Sequence, residues 1–132
     1  MCFFLLRSAE AYRHWLFIAE MPVQVSRDTM VTELNESNFD QFVDSNSLAI
    51  IDCWAPWCGP CRRMGPIVEE LASDLAGKAG VAKLNTDENQ AIAIRFNINA
   101  IPTLLVFKDK VLVDTLVGLR PKEDIIAALG LQ

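Results

Sequence analysis

The stretch IIDCWAPWCGPCRRMGP, residues 50–66, decides the fold. It starts as a strand and ends as a helix, with two cysteines, Cys58 and Cys61, at the changeover. Leu48–Trp54 is a continuous apolar run broken only by Asp52, the pattern of a central parallel strand covered on both faces. Cys58 to Ala76 reads as a long helix whose apolar stripe is Ile67, Val68, Leu71 and Leu75, with Gly77 as its stop. Pro66 falls inside that helix, removes one backbone hydrogen bond and predicts a kink near Arg62.

Outward from this stretch, the pattern alternates. Val31–Leu34 is a short strand, and Asn35 or Ser37 can cap a helix to about Asp44 that buries Phe39, Phe42 and Val43. Val81–Asn85 is the next strand, and Asp87 can cap a short helix over Gln90–Phe96. Thr103–Phe107 and Val111–Val117 are joined too tightly for anything but an antiparallel hairpin. Pro121 can open a last helix with Ile125, Ile126 and Leu129 facing inward. The order βαβαβαββα predicts an α/β sandwich built on a mixed sheet.

The chain of 132 residues is long enough for one domain with a tail, and 52 % hydrophobic against 22 % charged residues is a globular balance. A net charge of −5, with no basic cluster longer than Arg62-Arg63, argues against nucleic acid and anionic membranes as partners. No run approaches the roughly 18 apolar residues of a membrane span. Three of the four cysteines, Cys53, Cys58 and Cys61, cluster instead of spreading as a disulfide framework would. Clustering points to chemistry or metal binding in a reducing compartment.

Residues 1–29 form an N-terminal extension distinct from a domain over 30–132. Cys2–Leu6 is too short for a signal-peptide core. Ala9, Tyr12, Leu16 and Ala19 recur at helical spacing, so a short docking helix is one reading. A translation start at Met21 or Met30 is the other.

Two cysteines separated by two residues can close a small disulfide ring. At a helix N-terminus, unpaired N–H groups and the dipole favour thiolate over thiol. Cys58, at the terminal and exposed place, would attack a substrate disulfide, and Cys61, pointing inward, would resolve the mixed disulfide. Cys61 must then lose a proton where no water can take it. A desolvated Asp52 in the strand beneath has its pKa raised and can accept that proton near neutral pH, with Lys83 in the neighbouring strand as a partial counter-charge. The competing assignment is half of a zinc site. It needs four ligands, and Cys2, His14 and Cys53 stand at no paired spacing.

WCGPC at 57–61, following Asp52 and Trp54, resembles the thioredoxin family. The likeness runs from about Val31 to Leu129 and takes in Pro66, VAKLN at 81–85, IPT at 101–103 and VG at 117–118. It implies a three-layer sandwich with a central mixed sheet flanked by helices, and a cis Pro102 lying against the disulfide. It also implies an apolar docking surface made by Ile101, Pro102, Val117 and Gly118 with Trp57, Gly59 and Pro60. The implied activity is general protein-disulfide reduction through a redox-active Cys58–Cys61 disulfide, with no bound cofactor. Implied partners are disulfide-containing target proteins and a flavin- and NADPH-dependent thioredoxin reductase or an equivalent donor. The expected setting is the cytoplasm, as a monomer. Pro60 in the second intervening position suits a reductant, since the family's oxidants and isomerases more often carry histidine there. The rivals are an oxidant or isomerase in an oxidising compartment, and a redox-inactive scaffold. Three positions depart from the family pattern: Cys53 replaces an aromatic residue, Lys110 a turn glycine, and Arg62 a lysine.

Overall fold

A computed structural model describes residues 31–130. The tail residues that carry Cys2, His14, Met21 and Met30, and the readings made for them, lie outside the described residues. The elements run β1 (Val31–Leu34), α1 (Phe39–Ser45), β2 (Leu48–Trp54), α2 (Gly59–Asp74), β3 (Gly80–Asn85), α3 (Gln90–Arg95), β4 (Thr103–Lys108), β5 (Val111–Val117) and α4 (Lys122–Leu129). The sheet order is β1-β3-β2-β4-β5. β3 pairs parallel with β1 and β2, while β4 pairs antiparallel with β2 and β5, so the sheet is mixed.

β2 lies at the centre, and side chains on successive residues of a strand leave by opposite faces. Ile50 enters the core beneath α2 and α4, with Met64, Val68, Leu71, Ile125 and Leu129. Ala49, Ile51 and Cys53 enter the core beneath α1 and α3, with Phe39, Val43 and Ile92. Asp52 shares the parity of Ile50 and therefore sits on the α2 side. This alternation explains why a run apolar at nearly every position is a strand: both faces are covered.

Several local expectations shift. Asn35 does organise the start of α1, but from outside it: its side chain accepts the N–H groups of Ser37 and Asn38 at 2.9 and 3.1 Å. Asp87 does not cap α3. Asn89 precedes that helix without a side-chain cap, and the Asn85 side chain takes the Asp87 N–H at 2.9 Å. Pro66 lies within α2, which continues as one 16-residue helix; the second turn loses a single hydrogen bond while the buried stripe of Met64, Val68 and Leu71 holds it to the sheet. Among the described residues no helix is long and apolar enough to cross a membrane.

The β4–β5 hairpin turns on Asp109 and Lys110, whose φ angles are 51° and 71°. Two successive left-handed residues match the right-handed twist of the strands, but a side chain there is strained by about 1–2 kcal/mol per residue. Lys110→Gly is therefore expected to stabilise the domain by up to about 1 kcal/mol after the added chain entropy of glycine. Urea denaturation should show a higher midpoint with an unchanged slope; an unaltered or lower midpoint would mean the lysine carries a compensating contact.

Candidate active site

β2 ends at Trp54, and the chain turns at once into α2, with the Cys58 N–H donating to Ala55 O at 3.2 Å. Cys58 is the N-cap of α2 in extended conformation, and Gly59 and Pro60 form the first exposed helical positions. Proline costs nothing there, because the first helical N–H groups have no intrahelical partner. The Cys61 N–H donates to Cys58 Sγ at 3.2 Å. The two sulfurs are joined in a disulfide, their Cα atoms 5.3 Å apart. A charge on Cys58 Sγ would thus meet both a directed N–H and the positive end of a 16-residue helix.

Cys58 is not the exposed sulfur that its place at the helix entrance predicts. Cys58 is 4 % and Cys61 5 % exposed, so solvent contact does not separate them. What separates the sulfurs is their neighbours. Cys58 Sγ lies 3.8 Å from Ile101 O, and Ile101 lines a groove of about 360 Å³ with Trp57, Thr86 and Ile98. Cys61 lines a cavity of about 180 Å³ together with Asp52, Trp54, Arg62 and Lys83.

The Ile101–Pro102 peptide is cis, and Pro102 is buried. Pro102 O accepts the Gly118 N–H at 2.8 Å, and Gly118 has φ 90°, a conformation glycine adopts without strain. That bond ties the loop after β5 to the segment beside the sulfurs. Val117, 51 % exposed, and Trp57, 70 % exposed, flank this place with half-buried Ile101.

Asp52 is buried and its Oδ1 has no hydrogen-bond partner among the described residues. Burial pushes its carboxyl up from 3.8 to about 7, against the opposing pull of the Lys83 charge. Asp52 and Lys83 are register partners on the parallel β2 and β3 strands, which places both side chains on the α2 face. They form no ion pair within 4 Å; Lys83 Nζ instead stands 5.5 Å from the centre of the Trp54 ring. A second cavity, of about 230 Å³ with Gly65 and Val68 in its lining, also reaches Asp52 and Lys83. Cys53 faces the other way, fully buried, and burial first and the Asp52 charge second push its thiol far above the usual range. It is an unreactive core residue.

Asp87 is the site contact that the sequence did not reveal. Its Oδ2 accepts the Trp57 indole N–H at 2.9 Å across 30 residues of chain. An acidic residue after a strand reads locally as a solvated group or a cap, and no spacing rule connects it to Trp57.

The described fold and its site define a class: α/β proteins with a dithiol–disulfide couple at a helix N-terminus, set against a cis-proline and a buried carboxylate. The sequence model of the thioredoxin family matches residues 30–130. A thioredoxin from Staphylococcus haemolyticus is 46 % identical over 99 residues, 75 % of this chain and 94 % of that protein. One from Staphylococcus aureus is 43 % identical over the same length. The solved structure of a mutant thioredoxin from Halobacterium salinarum superposes with a TM-score of 0.69 at 33 % identity, covering 74 % of this chain and 86 % of that one. The chain belongs to the thioredoxin family, and it is a protein-disulfide oxidoreductase whose redox centre is the Cys58–Cys61 disulfide.

Proposed function

We propose that the chain works in the reducing direction, as a general reductant of disulfides in other proteins. In the reduced form, Cys58 thiolate attacks one sulfur of a target disulfide, and the other target sulfur leaves as a thiolate. Asp52 takes the Cys61 proton through the cavity they share. Cys61 then attacks Cys58 Sγ, releasing the second target thiolate and forming the intramolecular disulfide. Two electrons pass to the target, and the oxidised couple is restored by a flavin- and NADPH-dependent reductase or an equivalent donor. Trp57, Ile101, Val117 and Gly118 receive the target backbone, supported by Gly59, Pro60 and the cis Pro102. Lys83 limits the charge cost of ionised Asp52. The catalytic domain in this reading is 30–132, with 1–29 an extension, acting in the cytoplasm as a monomer with no bound cofactor, nucleic acid or membrane.

The observation that carries the reading is the arrangement of the two sulfurs: Cys58 caps the helix, and Cys61 shares a cavity with Asp52. The test is the reduction potential of the couple, equilibrated against thiol buffers and followed by the fluorescence of Trp54 and Trp57. A value near the about −270 mV of a reducing thioredoxin is expected. A value above about −180 mV would assign the protein to oxidation or isomerisation.

A further inference from the structure

We propose that Glu33, on the edge strand β1, is the outlet through which the proton taken up by Asp52 returns to solvent. This rests on the reading of the chain as a reductase in which Asp52 accepts the Cys61 proton.

The proton balance requires an outlet. Cys61 gives its proton to Asp52, and the freed electron pair on its sulfur closes the Cys58–Cys61 bond. The target sulfur leaves with the electron pair of the bond it loses. Asp52 is then a neutral carboxylic acid and must shed its proton before it can accept another. It lines two cavities. The one it shares with Cys61 is where the proton arrives. The other, of about 230 Å³, touches neither redox cysteine, and its charged lining is Glu33, Glu69 and Lys83 beside Asp52 itself. Asp52 is buried, whereas Glu33 and Glu69 are exposed, so this second cavity leads from the buried acid to the surface.

Strand register builds the path. Glu33 pairs with Lys83 across β1 and β3, and Lys83 pairs with Asp52 across β3 and β2. The three form one row, acid, base, acid, on the α2 face of the sheet. Their neighbours confirm the parity, since Leu34, Leu84 and Cys53, each one position on, enter the opposite core. At about 4.8 Å per strand, the Cα atoms of Glu33 and Asp52 are about 10 Å apart. Water in a cavity of this size can bridge that gap. Asp52 Oδ1, without a hydrogen-bond partner among the described residues, is free to donate or accept at its inner end.

Charge singles out Glu33. A proton moving out along the row passes the Lys83 ammonium, which repels it. Glu33 lies beyond Lys83 in the same row, offsets that charge and presents acceptor oxygens at the surface. Glu69 reaches the cavity from α2, outside the row, and Arg62 lines only the cavity on the Cys61 side.

The experiment mixes the reduced full-length protein with excess dithiobis(nitrobenzoic acid) at neutral pH in unbuffered salt containing a pH indicator. Its thionitrobenzoate product stays ionised, so the proton leaving Asp52 appears in solution. The second thionitrobenzoate released and the proton are recorded together. In the parent they should appear together. In Glu33→Gln the proton should lag, appearing about tenfold more slowly, and added imidazole, a mobile proton acceptor, should shorten the lag. Glu69→Gln should behave as the parent. In Asp52→Asn, where no acid stores the proton, adding Glu33→Gln should introduce no lag. A lag in the Asp52→Asn background, or one that imidazole leaves unchanged, would give Glu33 a structural role and overturn the outlet. No lag in Glu33→Gln, or a lag in Glu69→Gln alone, also overturns it and leaves the reductase standing. A parent that reduces neither this probe nor a protein disulfide overturns the reductase reading itself.

Discussion

Cys61→Ser is expected to halt the reaction midway, leaving the target joined to Cys58 through a disulfide, while catalytic turnover falls by at least about a thousandfold. The two sulfurs are equally covered, so exposure cannot assign the attacking atom. The attacking role is expected of Cys58, which caps α2 and accepts the Cys61 N–H at its Sγ, while Cys61 lines a cavity with Asp52. Cys58→Ser should show the same loss of turnover with no adduct at all, because the remaining thiol cannot reach the target. Intact-mass measurement under non-reducing conditions checks both variants. An adduct on Cys58→Ser and none on Cys61→Ser would reverse the roles.

Asp52→Asn is expected to remove a pH-dependent cost from the folded state and to slow release of the mixed disulfide. A carboxyl that titrates near 3.8 when unfolded and about 7 when folded binds more protons in the folded state between those values. Parent stability therefore falls as pH rises from about 4 to about 7 and levels off above. The full cost is on the order of 4 kcal/mol at 1.36 kcal/mol per tenfold change in proton affinity. The stability of Asp52→Asn relative to the parent should rise by about that amount between pH 4 and 8, with the difference flat above pH 8. Urea denaturation at a series of pH values reads this directly. In the same variant, single-turnover release of target from the mixed disulfide should slow by about 10²-fold at pH 7. A stability difference independent of pH would show that Asp52 does not titrate as a buried group, and the proton-acceptor role would fall with it.

Much of this site is legible residue by residue. Asp52 interrupting an apolar strand announces a buried carboxylate, and Cys-Gly-Pro-Cys before an apolar stripe announces sulfurs at a helix entrance. The short connection between Phe107 and Val111 announces the hairpin. Each of these depends on neighbours within a turn or a strand, where spacing and side-chain direction are set by the backbone itself. The errors have the opposite origin. Local reasoning predicts an exposed Cys58 because the first turn of an isolated helix is exposed; Ile101, from another part of the chain, brings its carbonyl to 3.8 Å from the sulfur. The same reasoning makes Asp87 a cap for the helix beginning three residues later; folding instead brings it to Trp57, 30 residues away, where an indole N–H offers a 2.9 Å bond.

From the sequence alone come the element order, the redox cysteine pair, the buried acid and the family likeness, because local periodicity and covalent spacing carry them. Only the tertiary structure decided that both cysteines are buried, that Asp52 and Lys83 are register partners, and that Asp87 meets Trp57. Those facts depend on strand register and on side chains brought together from segments distant in sequence. Burial and electrostatic shifts of this kind arise only when such segments exclude water from between them.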